Sequence, residues 1–277
     1  MTTWFITGIS RGLGRALAEA ALAEGDTVIG TVRKGPVSLD HQTGTLHVLT
    51  ADLAEAGAAE TCVVEAYERV GHIDVIVNNA GYGLLGALES ATDEEVGRLF
   101  AVDVIAPFRI IRAALPHLRR QGSGHVLNIT SIAGRAPSTG SAMYSAAKSA
   151  LEGMSSALSL EVAPLGIKVT AVAPGAFRTD FLSSHSICKS GEADGAYAET
   201  IGRSDAAFDA AAGRQAGDPE RAARAIITMV RAPNPPLHLL LGSDALRRAR
   251  TKLDQIVDEI DAWEATTRST DYQEDRT

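Results

Sequence analysis

A serine, a tyrosine and a lysine stand at Ser131, Tyr144 and Lys148, in the segment SIAGRAPSTGSAMYSAAK. A tyrosine and a lysine four residues apart share one face of a helix, about one turn from each other. A free phenol, with a pKa near ~10, is a poor acid-base catalyst at neutral pH. A neighbouring ammonium favours the phenolate and is expected to pull that value down. The serine hydroxyl can hydrogen-bond the oxygen of a carbonyl or an alcohol. These three groups are equipment for moving a proton on and off a substrate oxygen. Taken alone, Tyr-x-x-x-Lys also fits a surface helical pair, so the surrounding elements decide between the two.

Those elements alternate. Short β-branched runs at Thr3–Thr7, Thr27–Val32, Leu46–Thr50, Ile73–Asn78, His125–Thr130, Lys168–Ala173 and Leu237–Leu241 read as strands. Alanine-rich stretches at Gly12–Glu24, Ala56–Val70, Asp93–Arg119, Ala142–Pro164 and Pro219–Arg231 read as helices. Runs that are apolar throughout predict strands buried on both faces. The alternation predicts an α/β fold, a Rossmann-type doubly wound parallel sheet flanked by helices. Residues 1–268 are expected to form one dinucleotide-binding and catalytic domain. Residues 180–217 break the rhythm and read as an inserted lid over the substrate. Asp244–Trp263 reads as a charged amphipathic helix, and residues 269–277 as a frayed tail.

The first strand runs into TGISRGLG, which opens a helix. Glycines in that position let the backbone turn sharply and approach a pyrophosphate, and the helix start offers unpaired N–H groups. The loop residues Gly8, Ser10, Arg11, Gly12, Leu13 and Gly14 are therefore expected to bind a dinucleotide. An NAD site normally carries an acidic residue at the end of the second strand, to grip the ribose hydroxyls. Here that end reads Thr31-Val32-Arg33-Lys34. Arg11 and Arg33 can pair with a 2′-phosphate, so NADP(H) is expected in preference to NAD(H), which stays possible.

With these residues in hand, the chain resembles the short-chain dehydrogenase/reductase family, in its compact branch. The resemblance runs from Thr3 to about Gly242. It rests on the order of TGISRGLG, Asp52-Leu53, NNAG at Asn78–Gly81, Ser131 after LNIT, YSAAK at Tyr144–Lys148 and PGAFRT at Pro174–Thr179. It implies that Asp52, with Leu53 beside it, meets the adenine, and that Asn79, Ala80 and Gly81 pass under the adenosine ribose. Pro174, Gly175 and Thr179 would hold the nicotinamide side. Lys148 would bind the nicotinamide ribose and activate Tyr144. Ser131 would polarise the substrate oxygen, and Tyr144 would give or take its proton. The family usually places an asparagine where this chain has Asp103, and that asparagine anchors a water in a proton relay beneath the lysine. An aspartate keeps the acceptor capacity, yet its charge would raise the tyrosine pKa. Asp103 is therefore expected to keep the water role with an altered pH profile.

Composition narrows the rest. The chain has 277 residues, 45% hydrophobic and 22% charged, with a formal net charge of −8. No basic stripe offers a nucleic-acid footprint, and no apolar run reaches membrane-spanning length. Two distant cysteines, Cys62 and Cys188, and scattered histidines predict no metal site. A strand-like run at the very start predicts no signal peptide, and the cytoplasm is the expected compartment. His117, near a helix end, is expected to find its partial charge welcome there. Trp4 and Trp263 read as packing residues, and Arg247, Arg248, Arg250 and Lys252 as a solvated face. The helix Ala142–Pro164 is small and apolar nearly all round, which predicts a homodimer or homotetramer.

The whole reads as an NADP(H)-dependent oxidoreductase that interconverts a carbonyl and a secondary alcohol. Its pocket walls are expected around Leu84–Leu85, Ala133–Ser141, Ala176–Phe177 and Phe181 onward. They are largely apolar with few fixed charges, which favours a fairly hydrophobic small molecule. Two rivals remain: a nucleotide-binding redox sensor of the same fold with little turnover, and a nucleotide-sugar epimerase or dehydratase. The second would normally be longer, with a larger substrate domain.

Overall fold

The computed structural model describes residues 1–39, 43–182, 186–191 and 195–272. Its centre is a seven-stranded sheet in the order β3-β2-β1-β4-β6-β7-β9. The strands are β1 (Thr3–Thr7), β2 (Thr27–Val32), β3 (Thr45–Thr50), β4 (Val75–Asn78), β6 (Gly124–Ile129), β7 (Ile167–Pro174) and β9 (His238–Leu241). Every neighbouring pair is parallel. Parallel strands need crossovers on both faces, and the helices supply them. One core lies under α1 (Gly12–Ala23) and α7 (Pro219–Val230), around Ile6, Leu17, Val28 and Ile226. The other lies under α2 (Ala58–Val70), α4 (Ala106–Gln121) and α5 (Ala142–Val162), around Phe5, Ile29, Ile76 and Ile110. The apolar alternation of the sequence therefore maps onto a doubly wound sheet. Its order reverses between β1 and β4, which opens a crevice at the strand ends.

The expected helix at Asp93–Arg119 is not continuous. It divides into α3 (Asp93–Phe100), a wide π-type turn at Ala101–Ile105, and α4. Pro107 has no N–H to give to the carbonyl four residues back, so regular helix cannot run through this point. The turn lets Asp103 point inward, where it is fully buried.

The insertion after β7 has structure of its own. β8 (Ile187–Lys189) pairs in parallel with the short β5 (Gly83–Leu85), and α6 (Arg203–Ala211) follows. Residues 183–185 and 192–194 of the expected lid, and 273–277 of the expected tail, lie outside the described residues. α8 (Ser243–Ala262) is the expected charged helix, and α9 (Glu264–Arg268) follows it. Trp4 is buried and donates its indole N–H to Asp26 at 3.0 Å. Trp263 corrects the expectation of packing: α8 has left the body by then, and the ring is 66% exposed. His117 also differs. It stacks on Tyr67 at 3.9 Å, and burial, with Arg120 beside it, lowers its pKa, so charge is disfavoured there.

Candidate active site

The strand ends of β1, β4, β6 and β7 form the floor of one cavity of about 930 Å³. At β1 the chain turns through Gly8 and Gly12, whose φ angles of 75° and 60° favour glycine. Gly14 faces inward rather than toward the cavity. A Cβ there would sit 2.2 Å from Asn79 Nδ2 and 2.5 Å from the Gly8 carbonyl. Glycine is thus required for α1 to pack against the β4 end. Thr7 completes the joint, its hydroxyl accepting from the backbone N–H of Asn79 and of Ala80, each at 2.9 Å. Gly8, Ser10, Arg11, Gly12 and Leu13 line the cavity, as do Arg33, Asp52, Leu53, Asn79, Ala80 and Gly81. The Asp52 carboxylate accepts from the Ala54 N–H at 3.0 Å and from Arg98 at 2.9 Å. Burial works to raise its pKa, but these bonds outweigh it and hold the carboxyl below the ordinary value. Arg98 is a partner the sequence did not reveal, because it comes from α3, 46 residues away.

A run of buried polar contacts sets α5 against the sheet. Asn78 donates to Asn128 at 2.8 Å, Asn128 to Ser155 at 2.8 Å, and Ser155 to the Leu151 carbonyl at 2.7 Å. Further along, Glu152 accepts from the Thr130 hydroxyl and pairs with Arg135 at 3.0 Å. Buried polar groups that satisfy one another fix a single geometry, because any slip leaves one of them unpaired. That geometry brings Tyr144 and Lys148 beside Ser131, which caps the 3-10 turn that follows β6. All three line the cavity.

Lys148 is buried, with Nζ 3.0 Å from Asp103 Oδ2 and 3.2 Å from the Ile129 carbonyl. The other Asp103 oxygen accepts from the Tyr82 N–H at 3.2 Å. Asp103 does not reach the cavity itself. It stands behind the lysine, under Gly81, where a Cβ would come 2.9 Å from its Oδ2. The Tyr144 ring lies 5.8 Å from Lys148 Nζ and 5.9 Å, centroid to centroid, from Phe181 of the insertion.

The electrostatics correct the sequence reading. Burial pushes the Tyr144 phenol up; Lys148 and a hydrogen bond from Ser131 pull it down; Asp103 pushes it up again. The net direction is upward, not downward. Lys148 does pull the phenol down, as expected, but burial is the larger effect and outweighs it. Burial pushes Asp103 up as well. For Lys148 burial works downward, but Asp103 and Tyr144 outweigh it and the net direction is up.

Beyond the triad, Pro174, Gly175 and Thr179 line the cavity with Ala176 and Phe177. Of the expected walls, Leu85, Ala133, Ser138, Ser141 and Phe181 face it as well. Leu84 instead packs in the small cluster around Tyr144. The expectation of few fixed charges does not hold. Asp244, Arg247 and Arg248 at the start of α8 are also on the wall. Arg248 is half-buried and donates to the Ala136 carbonyl, so it is not part of a solvated face. Gln215 is a further wall residue that no motif marked.

The cavity fits a dinucleotide at one end: a glycine turn and the α1 N-terminus offer N–H groups, and Gly8, Gly12 and Gly81 on its wall bring no side chain. No cluster of three or more His, Cys, Asp or Glu suited to a metal occurs among the described residues.

Residues 2–187 match the family described as short chain dehydrogenase. The chain is 34% identical over 269 residues to the oxidoreductase BOA17 of Botryotinia fuckeliana, covering 94% of this chain and 96% of that one. It is 34% identical over 237 residues to the 3-ketodihydrosphingosine reductase of Bacteroides thetaiotaomicron, covering 86% of each. The crystal structure of a short-chain dehydrogenase from Streptomyces avermitilis superposes with a TM-score of 0.88 at 39% identity, covering 98% of this chain and all of that one. The chain belongs to the short-chain dehydrogenases, NAD(P)-dependent oxidoreductases.

Proposed function

We propose that the protein is an NADP(H)-dependent reductase and dehydrogenase for a carbonyl and its secondary alcohol, with Tyr144 as acid and base. The observation that carries this reading is that Ser131, Tyr144 and Lys148 share one cavity with the glycine turn. Gly8, Ser10, Arg11, Gly12 and Leu13 would hold the pyrophosphate. Asp52, Leu53 and Asn79 to Gly81 would hold the adenosine, and Pro174, Gly175 and Thr179 the nicotinamide side. Arg33, with Arg11, would select the 2′-phosphate. When bound, the nicotinamide supplies or accepts the hydride.

The chain's own groups handle the proton. Ser131 donates a hydrogen bond to the carbonyl oxygen, where negative charge develops. Tyr144 gives its phenolic proton to that oxygen, or takes it back in the oxidative direction. Lys148 has three N–H donors; Asp103 and the Ile129 carbonyl engage two, leaving one for a ribose hydroxyl. Asp103 holds the lysine in place and opposes formation of the phenolate. The insertion closes over the substrate through Phe181, which already lies against Tyr144.

The substrate is a small molecule with a largely apolar body. No helix among the described residues is long and apolar enough to cross a membrane, and both cysteines are free, which supports work in the cytoplasm. On α5, Ala146, Ala150, Gly153, Ala157 and Leu160 are all exposed along one stripe. This face supports pairing with a second copy, as a homodimer or homotetramer.

Fluorescence titration with NADPH and NADH, followed by a carbonyl panel at fixed cofactor, tests the reading. It expects tighter NADPH binding and steady oxidation of NADPH by ketones. Binding without turnover would make the protein a sensor instead.

A further inference from the structure

The cavity wall formed by α8 carries a cation that no carboxylate among the described residues meets at ion-pair distance. Arg248 is half-buried and its guanidinium donates to the Ala136 carbonyl. Burial lowers its pKa, and only Asp244 opposes this. Asp244 is committed elsewhere, accepting from the Ala176 N–H at 2.9 Å and packing against Gly175. No carboxylate among the described residues makes an ion pair with Arg248. Arg247, exposed at the rim of the same cavity, makes no ion pair or hydrogen bond among the described residues. Removing a charge from water is unfavourable unless a partner meets it. A guanidinium held this way on a cavity wall is set up to meet an anion.

The same cavity is also lined by apolar side chains, among them Leu85, Ala133, Phe181, Ile187 and Phe208. The ligand for which this wall is shaped has an apolar body and an anionic end.

That anion is not the cofactor's 2′-phosphate. Arg33 follows β2, whereas Arg248 sits against loops that follow β6 and β7. Four strand intervals separate β2 from β7, roughly 19 Å at the usual spacing. The planar fork of one arginine matches a carboxylate.

We propose that the substrate is an oxo acid or the matching hydroxy acid, an apolar carbonyl compound whose carboxylate is bound by Arg248, with Arg247 at the rim. This rests on the redox reading above and adds the class of substrate to it.

Calorimetry on the NADP-loaded protein with decanoate and methyl decanoate is the direct test. Decanoate binds about tenfold tighter or more, and added salt erodes the difference. Arg248→Gln keeps a donor for the Ala136 carbonyl and removes the charge. It abolishes the preference while methyl decanoate and NADPH bind as before. Arg247→Ala, an exposed change that leaves the fold alone, weakens decanoate by about threefold, as a rim charge should. In turnover, a long-chain keto acid outpaces its methyl ester through KM, and Arg248→Gln levels the two. Equal binding of decanoate and its ester by the unaltered protein would overturn the proposal, as would an undiminished preference in Arg248→Gln. If decanoate binds through Arg248 but no carbonyl oxidises NADPH, the redox reading falls and the acid site stands. If neutral ketones turn over with no preference for acids, the acid site falls and the redox reading stands.

Discussion

Asp103, Lys148 and Tyr144 form a buried chain of three ionisable groups, and its order matters. The carboxylate touches the lysine, and the lysine faces the phenol. Asparagine at 103 would remove the negative charge that pushes Tyr144 up. Asp103→Asn should therefore lower the phenol pKa and move the acid limb of alcohol oxidation down by about one pH unit. Rate against pH for both proteins reads this directly, and an identical limb would remove Asp103 from the account. At the other end of the cavity, Arg33→Ala should weaken NADPH by roughly 10- to 100-fold and leave NADH nearly unchanged. Parallel titrations check it, and equal losses for both would show that Arg33 does not read the 2′-phosphate. The residue types at these positions were legible in the sequence because spacing along a helix or a glycine turn is local. The sign of the Asp103 effect was legible too, but the weight of burial on Tyr144 was not.

Elements decide what local spacing cannot. The seven strands of the main sheet were readable because each is a largely apolar run, and their ends moved by one or two positions only; β5 and β8, three residues each, were not. The wide turn at Ala101–Ile105 was not readable from periodicity, since the apolar pattern continues through it. Its cause, Pro107, was visible but read as part of one helix. The start of α8 was misread for a related reason. Its arginines look solvated in sequence, and only docking of Ala245 and Ala249 on the body turns Arg248 inward.

Strand β6 carries a prediction of its own. His125 is buried and its Nε2 lies 2.9 Å from the Thr170 hydroxyl. That hydroxyl already donates to the Pro236 carbonyl at 2.7 Å, so Nε2 is the donor and Nδ1, which has no partner, must stay bare. Burial, with Lys168 nearby, pushes the pKa down from 6.5 to about 4. The unfolded chain thus takes up a proton before the folded one does. Stability is intact above pH 6.5 and falls as pH drops toward 4, by about 3 kcal/mol in total. Urea unfolding across that range measures the loss. His125→Gln, which keeps the donor and cannot titrate, should flatten this part of the curve; an unchanged slope would place the acid sensitivity elsewhere.

At the scale of the molecule, the fold brings two requirements to one crevice. The reversal of strand order between β1 and β4 opens the crevice, and the turn after β6 together with α5 sets Ser131, Tyr144 and Lys148 on its wall. The proposed assembly would use the same layout, because α5 turns Tyr144 and Lys148 inward and its alanine stripe outward. Ala150→Glu should split the oligomer, read as a smaller mass in light scattering, while a monomeric unaltered protein would reject this use of the α5 face.

The central claim is that the Tyr144 hydroxyl transfers the proton in a nicotinamide-dependent reaction. Tyr144→Phe removes one oxygen from a buried ring and leaves the packing in place. NADPH affinity by titration and NADPH oxidation with a ketone should be measured side by side in this variant. The account predicts unchanged binding and a rate lowered by about 10²- to 10⁴-fold. Turnover that survives the loss of that hydroxyl would contradict it.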